Sequence, residues 1–152
     1  MIDKSVIQQV LGSLMQKPQL LSEVDKYSLT LADFSTRFEK YIFSAIMNLY
    51  CKGVVSIQPI DVANYLESDT VGKKVFEQNK GVEYLHDIID FSNWENFTYY
   101  YEKLKKINLI RDLKKQGFDI DKDALYIPID TTQNSGSNYC DNYGLKCDRA
   151  GD

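Results

Sequence analysis

The sequence has few of the residues that commonly build catalytic and metal sites. Histidine occurs once, at His86, and the three cysteines at positions 51, 140 and 147 have no CxxC spacing. An odd number of cysteines without that spacing favours neither a disulfide framework nor a zinc site. No serine or cysteine can be linked to His86 as a nucleophile, so we interpret it as a surface or structural histidine, with Cys–His catalysis as the weaker alternative. We predict no catalytic residue, no metal and no cofactor.

Long apolar runs and an excess of basic residues are also missing. No stretch approaches the roughly 18 consecutive apolar residues of a membrane span, and the N-terminus lacks a signal-peptide layout. We therefore expect a cytoplasmic protein. The 18 Lys and Arg residues against 22 acids give a net charge of −4, which argues against a whole-surface nucleic-acid binder. With 43% hydrophobic residues among 152, the chain can form one globular domain, with or without a tail.

Two motifs that can bind phosphate or cations are incomplete here. The pair Gly72-Lys73 lacks the earlier glycine and the following Ser or Thr of a phosphate-binding loop. The aspartates Asp119, Asp121 and Asp123 lack the glycine and the closing glutamate of a calcium loop. We therefore predict no nucleotide site at Gly72-Lys73, and we interpret the aspartate run as a solvated loop.

Apolar residues recur at helical spacing through the first ninety residues. The sequence predicts helices at residues 5–15, 18–24, 38–51, 59–66, 71–78 and 82–91. Asp3 is a plausible N-cap of the first helix, and Val24 is expected on the packed face of the second. In the third helix we expect Cys51 to be buried and Gly53 to follow as the C-terminal cap. Gly81 separates the last two.

A longer helix is predicted from an Asn93 cap to about residue 116, with Gly117 at its end. Residues 98–116 contain six cations and two acids, a local net charge of +4, whereas seven aspartates against three cations follow from residue 117. Residues 131–144 have almost no aliphatic side chain, so burial cannot offset their ordering entropy. We predict a helical domain over residues 1–117 and a flexible acidic tail over 118–152, with a short extended segment at 125–129. The buried or partner-facing stripe of the long helix comprises Phe97, Tyr100, Tyr101, Leu104, Ile107, Ile110 and Leu113.

The first half of this helix combines aromatic and basic residues. Three consecutive tyrosines at positions 99–101 cannot all be buried on one stripe, so at least one is exposed and available to a partner. The lysines that follow at 103, 105 and 106 complete the composition of a single-strand nucleic-acid platform. The simpler alternative is an aromatic face in the core with lysines in water. Because the whole chain is acidic, we favour a partner protein over nucleic acid.

The order of several short segments points to a known family. They are VLGSLM from position 10, PQLL from 18, LADF from 31, IFSAI from 42, IDVANYLE from 60, GVEYL from 81 and NFTYY from 96. The last three resemble a D-x-x-T-V-A-x-x-L helix, a G-G-x-x-Y-L segment and an N-x-x-x-Y helix start. Together they resemble the N-terminal domain of DnaB-family replicative helicases over about residues 5–120. The resemblance rests on order and spacing, since no single motif is specific.

The resemblance implies an all-helical head followed by a helical hairpin, without catalysis of its own. It also implies a collar on the helicase ring, formed through head and hairpin contacts, that docks primase and, in some systems, a helicase loader. The ATPase motor of the family lies in a separate C-terminal domain that this chain does not contain. No second long amphipathic helix follows Gly117, so only part of the hairpin is predicted. An excised domain and a free-standing phage or mobile-element relative both fit.

We therefore predict an all-α fold, with a multi-helix head, a long helix as a partial hairpin, and an irregular tail. The predicted function is a non-enzymatic interaction and oligomerisation module of the primosome, which docks primase or a loader to a replicative helicase and contacts DNA only indirectly. One alternative is a small nucleic-acid-binding protein that uses the same helix, and another is a regulator that mimics the helicase domain. The partner-binding residues expected to be exposed on the last helix are Tyr99, Tyr101, Lys105, Lys106 and Arg111. We expect Tyr101→Ala to weaken partner binding by about 1 to 2 kcal/mol.

Overall fold

The computed structural model describes residues 4–117, and within that range it contains helices and no strand. The six α-helices are α1 (Lys4–Gln16), α2 (Arg37–Cys51), α3 (Pro59–Leu66), α4 (Thr70–Gln78), α5 (Gly81–Phe91) and α6 (Phe97–Lys115). Three 3₁₀ helices occupy Pro18–Ser22, Leu31–Asp33 and Trp94–Asn96. The all-α prediction is confirmed. The predicted Asp3 cap, the extended segment at 125–129 and the tail lie outside the described residues.

Side-chain caps set where α2 and α4 begin. Thr36 Oγ1 accepts a hydrogen bond from the backbone N–H of Glu39 at 3.1 Å, and the Glu39 carboxylate accepts one from the backbone N–H of Thr36 at 3.3 Å. This reciprocal pair is a capping box, which satisfies two N–H groups that the helix itself cannot. At α4 the Asp69 carboxylate accepts from the backbone N–H of Gly72 at 2.8 Å. Gly53 follows α2 with φ of +94°, as the sequence predicts for its C-terminal cap.

The break between α4 and α5 differs from the prediction in its detail. Lys80, not Gly81, takes the left-handed backbone conformation, with φ of 52°. Gly81 is the first residue of α5, and a Cβ there would lie 2.3 Å from the ring of Phe76. Gly81 is therefore needed for close packing of α4 on α5, and Lys80 makes the turn.

The head is built around α1, whose apolar residues are buried together with residues of α2, α3 and α5. Gly12 permits the closest approach, because a Cβ at this position would lie 2.1 Å from Ser92 Oγ and 2.6 Å from the carbonyl oxygen of Ile88. The largest fully buried side chains include Leu11, Leu14, Met15, Phe34, Ile42, Phe43, Ile46, Ile57, Leu66, Leu85, Ile88 and Phe97. One core therefore joins elements from the start of the chain to the start of α6.

Two local predictions in the head are wrong. The segment after α1 is a short 3₁₀ helix that ends at Ser22, so Val24 lies beyond it and is 72% exposed. The N–H of Tyr27 bonds to the carbonyl of Glu23 at 2.8 Å, so a turn follows the 3₁₀ helix where the sequence predicts further helix. Cys51 is exposed at the end of α2 instead of buried, because it lies off the stripe formed by Ile42, Ala45 and Ile46.

The chain divides into two compact units, the first ending at Leu104 and the second beginning at Lys105. In the described part of the second unit, the last turn of α6 carries Lys114 and Lys115 at the negative end of the helix dipole. Gly117 follows with φ of +97°, as expected for a helix-ending glycine. The boundary predicted at residue 117 stays a prediction. Among residues 4–117, no helix is both long and apolar enough to cross a bilayer.

Candidate partner-binding surface

The connection from α5 to α6 makes three hydrogen bonds with the Gln16 side chain of α1. Gln16 Nε2 donates to the carbonyl oxygens of Ile89 at 2.9 Å and Ser92 at 2.8 Å, and its Oε1 accepts from the backbone N–H of Trp94 at 3.0 Å. The ammonium of Lys17 lies 3.9 Å from the centroid of the Trp94 ring, within cation–π range. The amide of Gln16 thereby satisfies backbone groups on both sides of the turn that leads into α6.

Asn93 caps the turn, as the sequence predicts, but it does so one element earlier. Its side-chain oxygen accepts from the backbone N–H of Glu95 at 3.0 Å, at the start of the 3₁₀ helix Trp94–Asn96. α6 then begins at Phe97 directly from that 3₁₀ helix. The start of α6 is thus determined by a cap, a 3₁₀ turn and the Gln16 contacts together.

An aromatic cluster fixes the first turns of α6 to the loop before α2. The Tyr27 ring meets Phe97 edge-on at 4.7 Å and Tyr101 at 5.0 Å between centroids. The Tyr101 hydroxyl accepts from the backbone N–H of Ser28 at 2.9 Å, and the Tyr27 hydroxyl is hydrogen-bonded to Thr98 Oγ1. Edge-on aromatic pairs of this kind add stability beyond the area they bury.

The expectation that Tyr101 is exposed is wrong, because its side chain is only 6% exposed within this cluster. Helical spacing does not show that the 27–28 loop covers one side of the helix. We therefore treat Tyr101 as an anchor of α6. Its predicted part in partner binding was based on exposure and loses that support.

Tyr99 is the exposed member of the three consecutive tyrosines, with 59% of its surface accessible. Tyr100 is half-buried and its ring meets that of Tyr99 edge-on at 5.0 Å. Lys103, one turn further along, places its ammonium 5.5 Å from the Tyr99 centroid. This confirms that at least one of the three tyrosines faces solvent, and it places a cation beside that tyrosine.

The three predicted cations of the second unit differ in exposure. Lys105 is only 8% exposed, so the expectation that it is exposed is wrong. Its position follows Tyr101 by four residues, which is the spacing of neighbours on one helix face. Lys106 and Arg111 are half-buried, and the guanidinium of Arg111 lies 3.7 Å from the Asp112 carboxylate. Asn108 is also buried, so the covered stripe of α6 includes polar residues that an apolar pattern cannot reveal.

Other chemistry in the described part of the chain is limited. His86 is exposed on α5, in agreement with a surface histidine. Within residues 4–117, no group of three potential metal ligands lies together. Burial raises the pKa of Tyr84 to about 12, with the Glu39 carboxylate acting in the same direction and a hydrogen bond with Gln8 opposing it.

The residues that the structure describes thus form helices and no strand, and the last helix exposes the Tyr99 ring with Lys103 beside it. Residues 5–106 match the DnaB-like helicase N terminal domain family, and because this is more than half of the chain, the chain belongs to that family. The resemblance in the sequence is thereby confirmed.

The chain is similar in sequence to a curated prophage-derived protein. The SPbeta prophage-derived uncharacterized protein YorI of Bacillus subtilis (strain 168) is 41% identical over 118 residues, which cover 78% of this chain and 23% of the relative. The chain therefore spans about a quarter of the length of the relative it matches. No solved structure matches the chain.

Proposed function

We propose that this domain is a non-catalytic interaction module of DNA replication, which self-associates or joins a replicative helicase and docks a primase or a helicase loader onto it. The family supports the connection with a replicative helicase. The specific partner is our proposal, and so are the cytoplasmic location, the lack of enzymatic activity and the indirect contact with DNA. The prophage origin of the relative fits a replication module carried by a phage.

The observation that carries the proposal is the contrast between Tyr99 and Tyr101, which are two residues apart on α6. Tyr101 is buried and tied to the head, while Tyr99 is 59% exposed and lies beside Lys103. A rigidly held aromatic residue costs little conformational entropy on binding, and aromatic residues are enriched among interface hot spots. Of the predicted partner-binding residues, Tyr99 is therefore the strongest candidate, and the half-buried Lys106 and Arg111 stay predictions.

Molar mass by size-exclusion light scattering tests the proposal. The protein is measured alone and mixed with the helicase-binding domain of the cognate primase, and in a parallel run with the cognate loader. A defined co-complex with either protein supports docking. If all components elute separately, even at protein concentrations high enough to detect a weak complex, the docking proposal is contradicted.

A second candidate function is single-strand nucleic-acid binding on α6. Tyr99, the half-buried Tyr100 and Lys103 together offer the aromatic and cationic groups that stack bases and contact phosphates. This function predicts that fluorescence anisotropy of labelled single strands rises with protein and falls steeply with salt, because bound phosphates release counterions. Flat anisotropy at low salt would remove this candidate.

A further inference from the structure

The end of α5 and the turn that follows it expose two aromatic side chains, which we call the Phe91/Trp94 surface. Phe91 is 49% exposed as the last residue of α5, and Trp94 is 37% exposed at the start of the next 3₁₀ helix. Their Cα atoms are three residues apart and therefore at most about 11 Å from each other. One short segment of a partner can reach both side chains.

The backbone of the Phe91/Trp94 surface is hydrogen-bonded to α1. Gln9 Nε2 donates to the carbonyl oxygen of Phe91 at 3.2 Å, and Gln16 Oε1 accepts from the backbone N–H of Trp94 at 3.0 Å. A backbone that is ordered before binding loses little conformational entropy when a partner docks. Tryptophan is also one of the residue types enriched among interface hot spots. The two exposed aromatic residues thus stand on a preorganised part of the head.

The charges along this part of the chain decide which kind of partner fits. Asp87, Asp90 and Glu95 are exposed, and none of them forms an ion pair within residues 4–117. From residue 81 to residue 102 the sequence contains five acids and no Lys or Arg. A negative potential repels nucleic acid and anionic lipid, and it is complementary to a cationic protein segment.

Trp94 already holds a cation of its own chain. The ammonium of Lys17 lies 3.9 Å from the ring centroid, and Trp94 stays partly exposed with this contact in place. Tryptophan is the aromatic side chain that attracts cations most strongly. Arginine suits this environment better than lysine, because its planar guanidinium both stacks on aromatic rings and pairs with carboxylates.

We propose that the Phe91/Trp94 surface binds an arginine-bearing segment of another protein. The guanidinium of that segment stacks on Trp94 and pairs with the neighbouring carboxylates, while an apolar side chain of the segment covers Phe91. This contact goes beyond the proposed docking through Tyr99 and uses different residues of the head. Because it is partly electrostatic, it weakens as salt is added.

Intrinsic fluorescence tests the proposal, because Trp94 is the only tryptophan of the sequence. The full chain is titrated with a tryptophan-free peptide of alanine, leucine and arginine. Matched peptides carry lysine or glutamate in place of arginine. The arginine peptide should shift the emission of Trp94 and protect it from quenching by acrylamide. The lysine peptide should bind at least about threefold more weakly, and the glutamate peptide should leave the emission unchanged.

Variants of the surface distinguish this contact from a general attraction of cations to an acidic protein. Phe91→Ala should weaken binding of the arginine peptide at least about tenfold, because it removes the apolar half of the site. Asp90→Asn with Glu95→Gln should also weaken binding and should make it less sensitive to salt. If circular dichroism shows that Phe91→Ala is unfolded, the charge variant decides alone.

Matched substitutions outside residues 81–95 serve as controls. Tyr65→Ala removes a half-buried ring that also has a lysine ammonium beside it, at 5.5 Å from its centroid. Asp25→Asn with Glu77→Gln removes two exposed carboxylates, so the net charge changes as in the charge variant of the surface. Both control proteins should bind the arginine peptide as the parent does.

Three results would each overturn the proposal. They are a Trp94 emission that the arginine peptide does not change, an arginine peptide that binds no better than the lysine peptide, and folded surface variants that bind as the parent does. If Phe91→Ala instead dissociates an oligomer of the parent in sedimentation velocity, the surface belongs to a second copy and the proposal is wrong. The titration contains neither primase nor loader, so this proposal and the docking through Tyr99 can fail independently.

Discussion

The hydroxyl oxygen of Tyr101 accepts a hydrogen bond from the backbone N–H of Ser28 at 2.9 Å, which ties the second turn of α6 to the loop before α2. The Tyr27 ring, edge-on to Tyr101 at 5.0 Å, extends the same contact. These contacts hold the segment of α6 that carries the exposed Tyr99, two residues before Tyr101.

Removal of the Tyr101 anchor should therefore lower stability. Tyr101→Phe keeps the ring and leaves the Ser28 N–H without this acceptor, so the free energy of unfolding should fall by about 0.5–1.5 kcal/mol. Tyr101→Ala also removes the buried ring and should cost about 3–5 kcal/mol. Urea unfolding followed by circular dichroism measures both, with the half-buried Tyr100→Phe as the control. Equal stability of Tyr101→Ala and the parent would show that the cluster does not hold α6.

Gln16 should contribute more to the free energy of unfolding than its half-buried position suggests. Gln16→Ala removes two donated and one accepted hydrogen bond at the α5–α6 connection, and we expect a loss of about 1–3 kcal/mol. The matched control is Gln9→Ala, because Gln9 makes one bond of 3.2 Å to the carbonyl of Phe91. Hydrogen exchange of the Trp94 amide should speed up in the Gln16 variant alone. If both variants exchange this amide equally fast, Gln16 does not fix the turn.

Gly12→Ala should destabilise the head although alanine favours helices. Its Cβ would lie 2.1 Å from Ser92 Oγ and 2.6 Å from the Ile88 carbonyl oxygen, so α1 and α5 must move apart. Overpacking of this kind costs about 1–3 kcal/mol, which thermal unfolding would detect. Adding Ser92→Gly removes the hydroxyl but leaves the carbonyl, so only part of the loss should return. Full recovery in the double variant would mean that the backbone contact is not limiting.

Stability should fall in alkaline solution partly because of Tyr84. Its folded pKa is about 12 and its ordinary value is 10.0, so the folded state holds the proton more tightly than the unfolded chain does. The contribution of Tyr84 is fully present below about pH 10 and is lost as pH rises toward 12. Urea midpoints measured across this range should therefore fall less steeply for Tyr84→Phe than for the parent. Parallel pH profiles would contradict the raised pKa.

Much of the head follows from the sequence because its helices carry regular apolar stripes with recognisable caps. α3 is predicted at its observed bounds, and α1 and α2 are within a residue at either end. The details that escape prediction depend on tertiary contacts. The ring of Phe76 lies on Gly81 only when α4 and α5 pack together. Tyr101 is covered by the loop at Ser28, which is distant from it in sequence. No local pattern contains them.

The sequence predicts which types of residue form the candidate site, but it does not predict which of those residues are exposed. Three adjacent tyrosines require that one be exposed, but only the contacts of Tyr27 and Ser28 show that Tyr99 is exposed and Tyr101 is not. The burial of Lys105 could not be predicted either. Its side chain is only 8% exposed, and nothing in the sequence distinguishes it from an exposed lysine.

The central claim is that Tyr99 on an anchored α6 docks a replication partner, and one calorimetric measurement tests it most directly. The dissociation constant for the helicase-binding domain of the cognate primase is compared between the parent, Tyr99→Ala and Tyr65→Ala. Tyr65 is a close control, because Lys52 lies 5.5 Å from its ring as Lys103 does from that of Tyr99. We predict about 1–2 kcal/mol of lost binding for Tyr99→Ala and no loss for Tyr65→Ala. An unchanged dissociation constant for a folded Tyr99→Ala protein would contradict the claim.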